Sequence, residues 1–195
     1  MQRHVKDPYV HKARAGGLRS RAAFKLEEIN TRHRLLHPGA RVVDLGAAPG
    51  GWSQLAAQKV APGGRVVAID LLEIAPIAGV AVLKGDVRKE TARAEVLAAL
   101  DGRKADLVLS DLSPNLSGIA SADQARAAEL ARIAMAFCRR QLAPGGALLL
   151  KVFQGEEFRA LLAEMKEMFR EVRTLKPAAS RDESRETYLL GRDLS

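Results

Sequence analysis

The chain has 195 residues, 47% of them hydrophobic, and a formal net charge of +8. That length suits one domain with a sizeable core, no apolar run reaches the length of a membrane span, and the basic start lacks the apolar stretch of a secretory signal. The single cysteine, Cys138, excludes an internal disulfide and a multi-cysteine zinc site, so a cytoplasmic protein without a metal is expected.

Residues 1–18 read as a basic flexible arm that ends at Gly16-Gly17, ahead of one domain over 19–195. Residues 1–41 hold ten Lys/Arg against three acids, +7 of the total, so the remaining 154 residues are close to neutral. A basic block on a near-neutral body marks a contact surface for a polyanion, and nucleic acid is preferred over a merely solvated tail. Arg3, Lys6, Lys12, Arg14, Arg19, Arg21, Arg32 and Arg34 are the candidate contacts. His4, His11, His33 and His37 lie in the same segment without metal-ligand spacing and extend that surface.

A helix is predicted over residues 20–35 from the spacing of Ala22, Ala23, Leu26 and Ile29. After Pro38-Gly39, strands and helices alternate. The strands are Arg41 to Leu45, Arg65 to Asp70, Val80 to Lys84, Asp106 to Ser110, Ala147 to Phe153, Val172 to Lys176 and Thr187 to Gly191. The helices between them are Trp52 to Val60, Lys89 to Leu100, Ala122 to Leu142 and Glu156 to Phe169. Ser121 and Gln124 have the spacing of a capping box at the start of the third of these. Pro62-Gly63-Gly64 and Pro144-Gly145-Gly146 are breaks ahead of strands. Near-continuous aliphatic runs such as VVAI suit strands buried on both faces, so the fold class is a doubly wound, mostly parallel α/β sheet of about seven strands. Its last two strands, separated by polar residues and no helix, form an antiparallel hairpin at the sheet edge.

In such sheets a ligand sits beyond the carboxyl ends of the strands. The first strand runs into Asp44-Leu45-Gly46-Ala47-Ala48-Pro49-Gly50-Gly51-Trp52, where the glycines allow a sharp turn and close approach of backbone to a ligand. The spacing is not the dinucleotide fingerprint, and Pro49 removes a donor that a pyrophosphate would use. It resembles the D-x-G-x-x-x-G loop of S-adenosylmethionine methyltransferases. Asp70 ends the second strand, where a carboxylate can accept two ribose hydroxyls, and Asp86 follows the third, within reach of an adenine amino group. Trp52 packs on the cofactor or fills core, with the cofactor slightly favoured by its place in the loop.

Asp111 ends the fourth strand in Ser110-Asp111-Leu112-Ser113-Pro114-Asn115. Lys151 interrupts the apolar fifth strand, where an ammonium is costly unless paired, and that marks it as functional. By spacing alone, Lys25 on the first helix and Glu186 at the last strand are solvated charges. The segments SRAAFKL, VVDLGAAPGGWSQ, SDLSPNLSG, LAPGG, KVFQGE and SRETYL together resemble the FtsJ/RlmE family of ribosomal RNA 2′-O-methyltransferases over about residues 7 to 191.

The resemblance implies a Rossmann-like methyltransferase domain and a Lys-Asp-Lys-Glu tetrad on Lys25, Asp111, Lys151 and Glu186. It implies S-adenosylmethionine as cofactor, with contacts at Gly50, Trp52, Asp70, Asp86 and Asp111, and Gly46 joins them by its place in the loop. A lysine desolvated beside a second cation can act as a base, so Lys151 takes the proton of a ribose 2′-hydroxyl or stabilises the forming alkoxide. Lys25 and Glu186 position it, and Asp111 orients Lys151. The implied substrate is a uridine of the 23S RNA A-loop, on the assembled 50S subunit, and the implied enzyme is a monomer without metal. The alternatives are a transfer-RNA 2′-O-methyltransferase and a catalytically silent ribosome-assembly factor. An NAD-dependent oxidoreductase is disfavoured by the glycine spacing, and a base-flipping DNA methyltransferase by the lack of a Pro-Pro-aromatic segment after Asp111.

Overall fold

The computed structural model describes residues 16–115, 117–180 and 184–195. The predicted contacts Arg3, Lys6, Lys12 and Arg14 lie outside the described residues. The described chain runs α1 (Ala22–His33), β1 (Arg41–Leu45), α2 (Gly51–Val60), β2 (Arg65–Asp70), β3 (Val80–Lys84), α3 (Glu90–Ala99), β4 (Ala105–Ser110), α4 (Ala120–Gln141), β5 (Leu142–Phe153), α5 (Phe158–Met168), β6 (Phe169–Leu175) and β7 (Glu186–Leu194). The strands form one sheet in the order β3-β2-β1-β4-β5-β7-β6. The first five are parallel, while β7 pairs antiparallel with β5 and β6 antiparallel with β7. The predicted sheet and its antiparallel edge pair are both present, with β6 outermost.

Strand alternation divides the core into two layers. Val43, Leu45, Val67, Ile69, Val108, Leu148, Leu150 and Val152 face α3, α4 and α5. Their neighbours Val42, Val66, Leu107, Leu109, Leu149, Tyr188 and Leu190 face α1 and α2. Paired residues share a face, so the register stacks this second layer into rungs. Val42, Val66 and Val80 are partners in the first rung. Asp44, Ala68, Val82, Leu109 and Leu149 follow in the second. The next rung, at the carboxyl ends of the parallel strands, is polar. There Asp70 pairs with Lys84 and Lys151 with Tyr188, and Asp111 continues the Leu107, Leu109 alternation. The apolar stripes thus end in a row of charged side chains on one face of the sheet.

Two local expectations are corrected. The break at Pro144-Gly145-Gly146 does not precede β5 but is looped out within it: Ala105 pairs with Leu142 and Leu107 with Ala147, so four residues of β5 lie opposite one of β4. The helix after Asp111 begins at Ala120 with Ile119 at its N-cap and no side-chain cap, so Ser121 and Gln124 form no capping box. Instead Asp123 reaches back, and its carboxylate accepts the N–H groups of Ser117 (2.8 Å) and Gly118 (3.1 Å), with the Ser117 hydroxyl at 2.7 Å. That holds the loop downstream of Asp111 against the helix. Among the described residues no helix is long and apolar enough to cross a membrane.

Candidate active site

Lys25, Asp111, Lys151 and Glu186 converge at the polar rung. Lys25 is on the buried face of α1 with Ala23, Leu26 and Ile29, so its stem packs on the sheet and its ammonium reaches the rim. It forms an ion pair with Glu186. Lys151 forms a second pair with Asp111, Nζ to Oδ1 at 2.8 Å, and also donates to the Asp111 carbonyl at 3.0 Å. The Phe153 ring centroid lies 6.0 Å from Nζ, which lends the ammonium an aromatic neighbour. Both lysines are more than nine-tenths buried, and a charge that far from water persists only with a partner.

Sequence reading passed over Tyr188, which ties the pairs together. It is fully buried opposite Lys151, and its hydroxyl donates to Glu186 Oε1 at 2.9 Å. Burial raises the Glu186 carboxyl and the Lys25 ammonium lowers it, with help from Lys151 and the Tyr188 hydroxyl. The net result lies below the usual carboxylate range. The same burial, with the Asp111 and Glu186 charges nearby, pushes the Tyr188 phenol far up, so it remains a donor. The signal was present in the sequence, because Glu186 and Tyr188 alternate onto one face of β7.

Gly46 and Gly50 adopt left-handed φ values of +72° and +104°. A Cβ on Gly46 would come within 2.6 Å of the Leu112 side chain, so only glycine lets the loops after β1 and β4 close together. Asp70 accepts the N–H of Ala48 at 2.9 Å and of Leu72 at 2.8 Å, which joins the loops after β1 and β2. Asp86 is clasped by its neighbour Arg88, at 2.9 Å and 2.7 Å, and that guanidinium holds its carboxyl low. Asp44, which sequence reading noted only as part of the loop, is fully buried on β1. The Ser53 hydroxyl donates to Oδ2 at 2.6 Å, and among the described residues nothing donates to Oδ1. Burial, with the charges of Asp111 and Asp70 adding, raises its carboxyl to about 7.

A ligand with hydroxyl donors at one end and a fixed positive charge at the other fits this edge. Asp70 has acceptor lone pairs left, the glycine loop leaves room for close approach, and the carboxylates of Asp70 and Asp111 place negative charge along the edge. Among the described residues, no group of three or more His, Cys, Asp or Glu is arranged to hold a metal ion.

Other predicted residues lie elsewhere or have other work. Trp52 is buried against the sheet, its indole N–H donating to the Ala22 carbonyl at 2.7 Å and its ring 5.9 Å from that of Tyr188. It fastens α1 onto α2. Arg19 donates to the backbone carbonyls of Ala75, Pro76 and Pro49. Arg21 stands at the N-terminus of α1, on the Lys25 side, whereas Arg32 and Arg34 are at its other end. Arg34 lines a groove of about 340 Å³ with His37, Asp106 and Arg192 at the opposite edge of the sheet, away from the tetrad.

A doubly wound sheet with an inserted antiparallel seventh strand and a charged carboxyl edge defines a Rossmann-like methyltransferase. Comparison with known proteins agrees. The FtsJ-like methyltransferase family matches residues 18–194. A protein of Azoarcus sp. named ribosomal RNA large subunit methyltransferase E is 53% identical over 194 residues, covering 100% of this chain and 95% of its own. One of the same name from Chromobacterium violaceum is 50% identical over 192 residues, covering 98% and 94%. The crystal structure of a ribosomal RNA methyltransferase from Plasmodium falciparum superposes with a TM-score of 0.82 at 27% identity, over 90% of this chain and 98% of that one. The chain belongs to the FtsJ-like methyltransferase family.

Proposed function

We propose that this methyltransferase moves a methyl group from S-adenosylmethionine to a ribose 2′-hydroxyl of a uridine in the A-loop of 23S ribosomal RNA, on the assembled 50S subunit in the cytoplasm. The observation that carries the reading is the pair of buried ion pairs, Lys25–Glu186 and Lys151–Asp111, meeting at the end of the glycine loop. The names of the full-length relatives support the class of RNA.

When bound, S-adenosylmethionine supplies a methyl group on a positively charged sulfur, open to in-line displacement. Asp70 would accept from the ribose hydroxyls of the cofactor, Asp86 would share its carboxylate with the adenine amino group, and Gly46 and Gly50 would let the backbone close on it. Asp111 would supply negative charge to favour the sulfonium. On the substrate side, Lys151, after releasing its own proton to solvent, takes the proton of the 2′-hydroxyl as that oxygen forms its bond to carbon. The ammonium so formed is held by the Asp111 carboxylate and carbonyl, the contacts Lys151 already makes. The Lys25–Glu186 pair, fixed by Tyr188, sets the field around Lys151 and orients the ribose. Much of the acceleration comes from this positioning. Arg21 and the basic segment with Arg3, Lys6, Lys12 and Arg14 contact phosphates and fix the register of the RNA.

The test is incubation with methyl-labelled cofactor and one of three acceptors: 50S subunits lacking native methylation, naked 23S RNA, or bulk transfer RNA. Label mapped to a ribose of the 50S A-loop, and absent with Lys151→Ala while cofactor affinity stays within a few-fold, supports the proposal. Label on transfer RNA keeps the chemistry and refutes the substrate. Cofactor binding without label on any acceptor refutes the activity.

A further inference from the structure

Arg19 stands in the basic segment, where spacing and charge make it another phosphate contact, yet its donors are engaged by the protein's own backbone. Nη1 donates to the Ala75 carbonyl at 2.7 Å and to the Pro49 carbonyl at 3.4 Å, and Nη2 donates to the Pro76 carbonyl. Pro49 belongs to the glycine loop after β1, while Ala75 and Pro76 belong to the loop after β2. The backbone at Arg19 is fixed as well: its N–H donates to Gln54 Oε1 at 3.1 Å, and Gln54 Nε2 donates back to the Gly17 carbonyl at 2.9 Å. Gln54 lies in the second turn of α2, the helix that the glycine loop opens. The stem of Arg19 packs over Gly50: a Cβ built there would lie 3.5 Å from Arg19 Cδ and 2.5 Å from Ile77 Cδ1. Next along the chain, Ser20 Oγ sits where a side chain on Gly51 would have to go, at 2.2 Å.

We infer that Arg19 is a positioning residue for the cofactor cleft, a strut that locks the loops after β1 and β2 at their working separation from outside, as the Asp70 to Ala48 hydrogen bond does from inside. The inference rests on the cofactor reading above. The guanidinium suits this task because its planar fork reaches adjacent carbonyls of one loop and a carbonyl of the other at once. An ammonium is a point donor and cannot span them. Without the strut the two loops separate more easily, and binding a ligand between them must then close them first. Cofactor affinity therefore falls while the tetrad, which lies on β4, β5, β7 and α1, keeps its geometry.

Arg19→Lys and Arg19→Ala test this, because lysine preserves the charge that a phosphate contact would need. Cofactor affinity is measured by titration calorimetry without RNA, affinity for 50S subunits by filter binding, and folding by thermal melting. The expected result is that both variants melt as cooperatively as wild type but bind S-adenosylmethionine about tenfold more weakly, the size of one charge-assisted hydrogen bond. The Michaelis constant for the cofactor rises by the same factor, kcat at saturation is preserved, and 50S affinity stays within about twofold, as expected of a side chain that touches no phosphate. Wild-type cofactor affinity in Arg19→Lys would overturn the inference, since charge alone would then suffice. So would unchanged cofactor affinity in Arg19→Ala with weakened 50S binding, which is the behaviour of a phosphate contact. Failure of the wild-type protein itself to bind the cofactor would overturn the cofactor reading, and this inference with it.

Discussion

The Lys25–Glu186 pair allows a quantitative test of how far the tetrad is removed from water. The side chains are 9% and 14% exposed. Removing one partner of a buried pair strands the other charge and costs about 3–5 kcal/mol, whereas removing both leaves no charge to strand. Lys25→Met keeps the packing of the stem and leaves Glu186 with the Tyr188 hydroxyl and the field of Lys151, so its cost falls at the lower end, about 3 kcal/mol. Glu186→Gln strands an ammonium and falls higher, about 4 kcal/mol. The double variant, whose amide oxygen still accepts from Tyr188, lies within about 1 kcal/mol of wild type, so the coupling between the two sites is several kcal/mol. Urea unfolding of the four proteins at pH 7 measures this, at low salt and at about 0.5 M salt, which should change it little because a buried pair is weakly screened. Additive single costs, with a coupling below about 1 kcal/mol, would refute the argument and put the pair in the class of screened surface bridges. The acid side has a defined sign. With the Glu186 carboxyl held below its usual range, the stabilising contribution is complete above that range and fades as pH falls through the lowered value.

Asp44 gives the opposite sign. Its carboxyl titrates near 7 in the folded protein against 3.8 ordinarily, so the folded state holds a proton that the unfolded chain has lost. Stability therefore falls as pH rises from about 4 to 7, by at most about 4 kcal/mol, and Asp44→Asn should flatten that decline in urea melts at pH 5 and pH 8. An unchanged decline would mean that Asp44 is ionised throughout. Trp52→Phe removes the indole donor while the Ala22 carbonyl keeps its place in the ladder of α1, so the cost is that of one hydrogen bond, about 0.5–1.5 kcal/mol in the same assay, and it should shift cofactor affinity less than about threefold. A large drop in cofactor affinity would show that the ring faces the cofactor instead. Neutralising Arg3, Lys6, Lys12 and Arg14 together should weaken 50S binding and reduce its salt slope by about 0.7–0.9 for each phosphate they no longer neutralise. An unchanged slope in a salt series would mean that these side chains do not touch phosphate.

Much of the fold was legible because its signals are local. Strands buried on both faces read as continuous aliphatic runs, and β1, β2 and β3 have the predicted bounds. The start of β5 was not legible: Pro144-Gly145-Gly146 has the composition of a turn, and only pairing across to β4 decides that it is looped out inside a strand. Lys151 stood out as a charge within an apolar run. By itself, then, the sequence determined the sheet, its order of elements, the polar carboxyl edge and one charge out of place.

Tertiary structure decided the partners. Lys25 and Glu186 are 161 residues apart, and each looks solvated until the sheet brings α1 over β7. Trp52 became a buried tie between α1 and α2, and Arg19, one basic residue among ten, became a brace between two loops. The physical reason is the same in each case. Periodicity is set by backbone geometry over a few residues, whereas a buried charge or donor is explained by whichever group closes its hydrogen bond, and that group comes from anywhere in the chain.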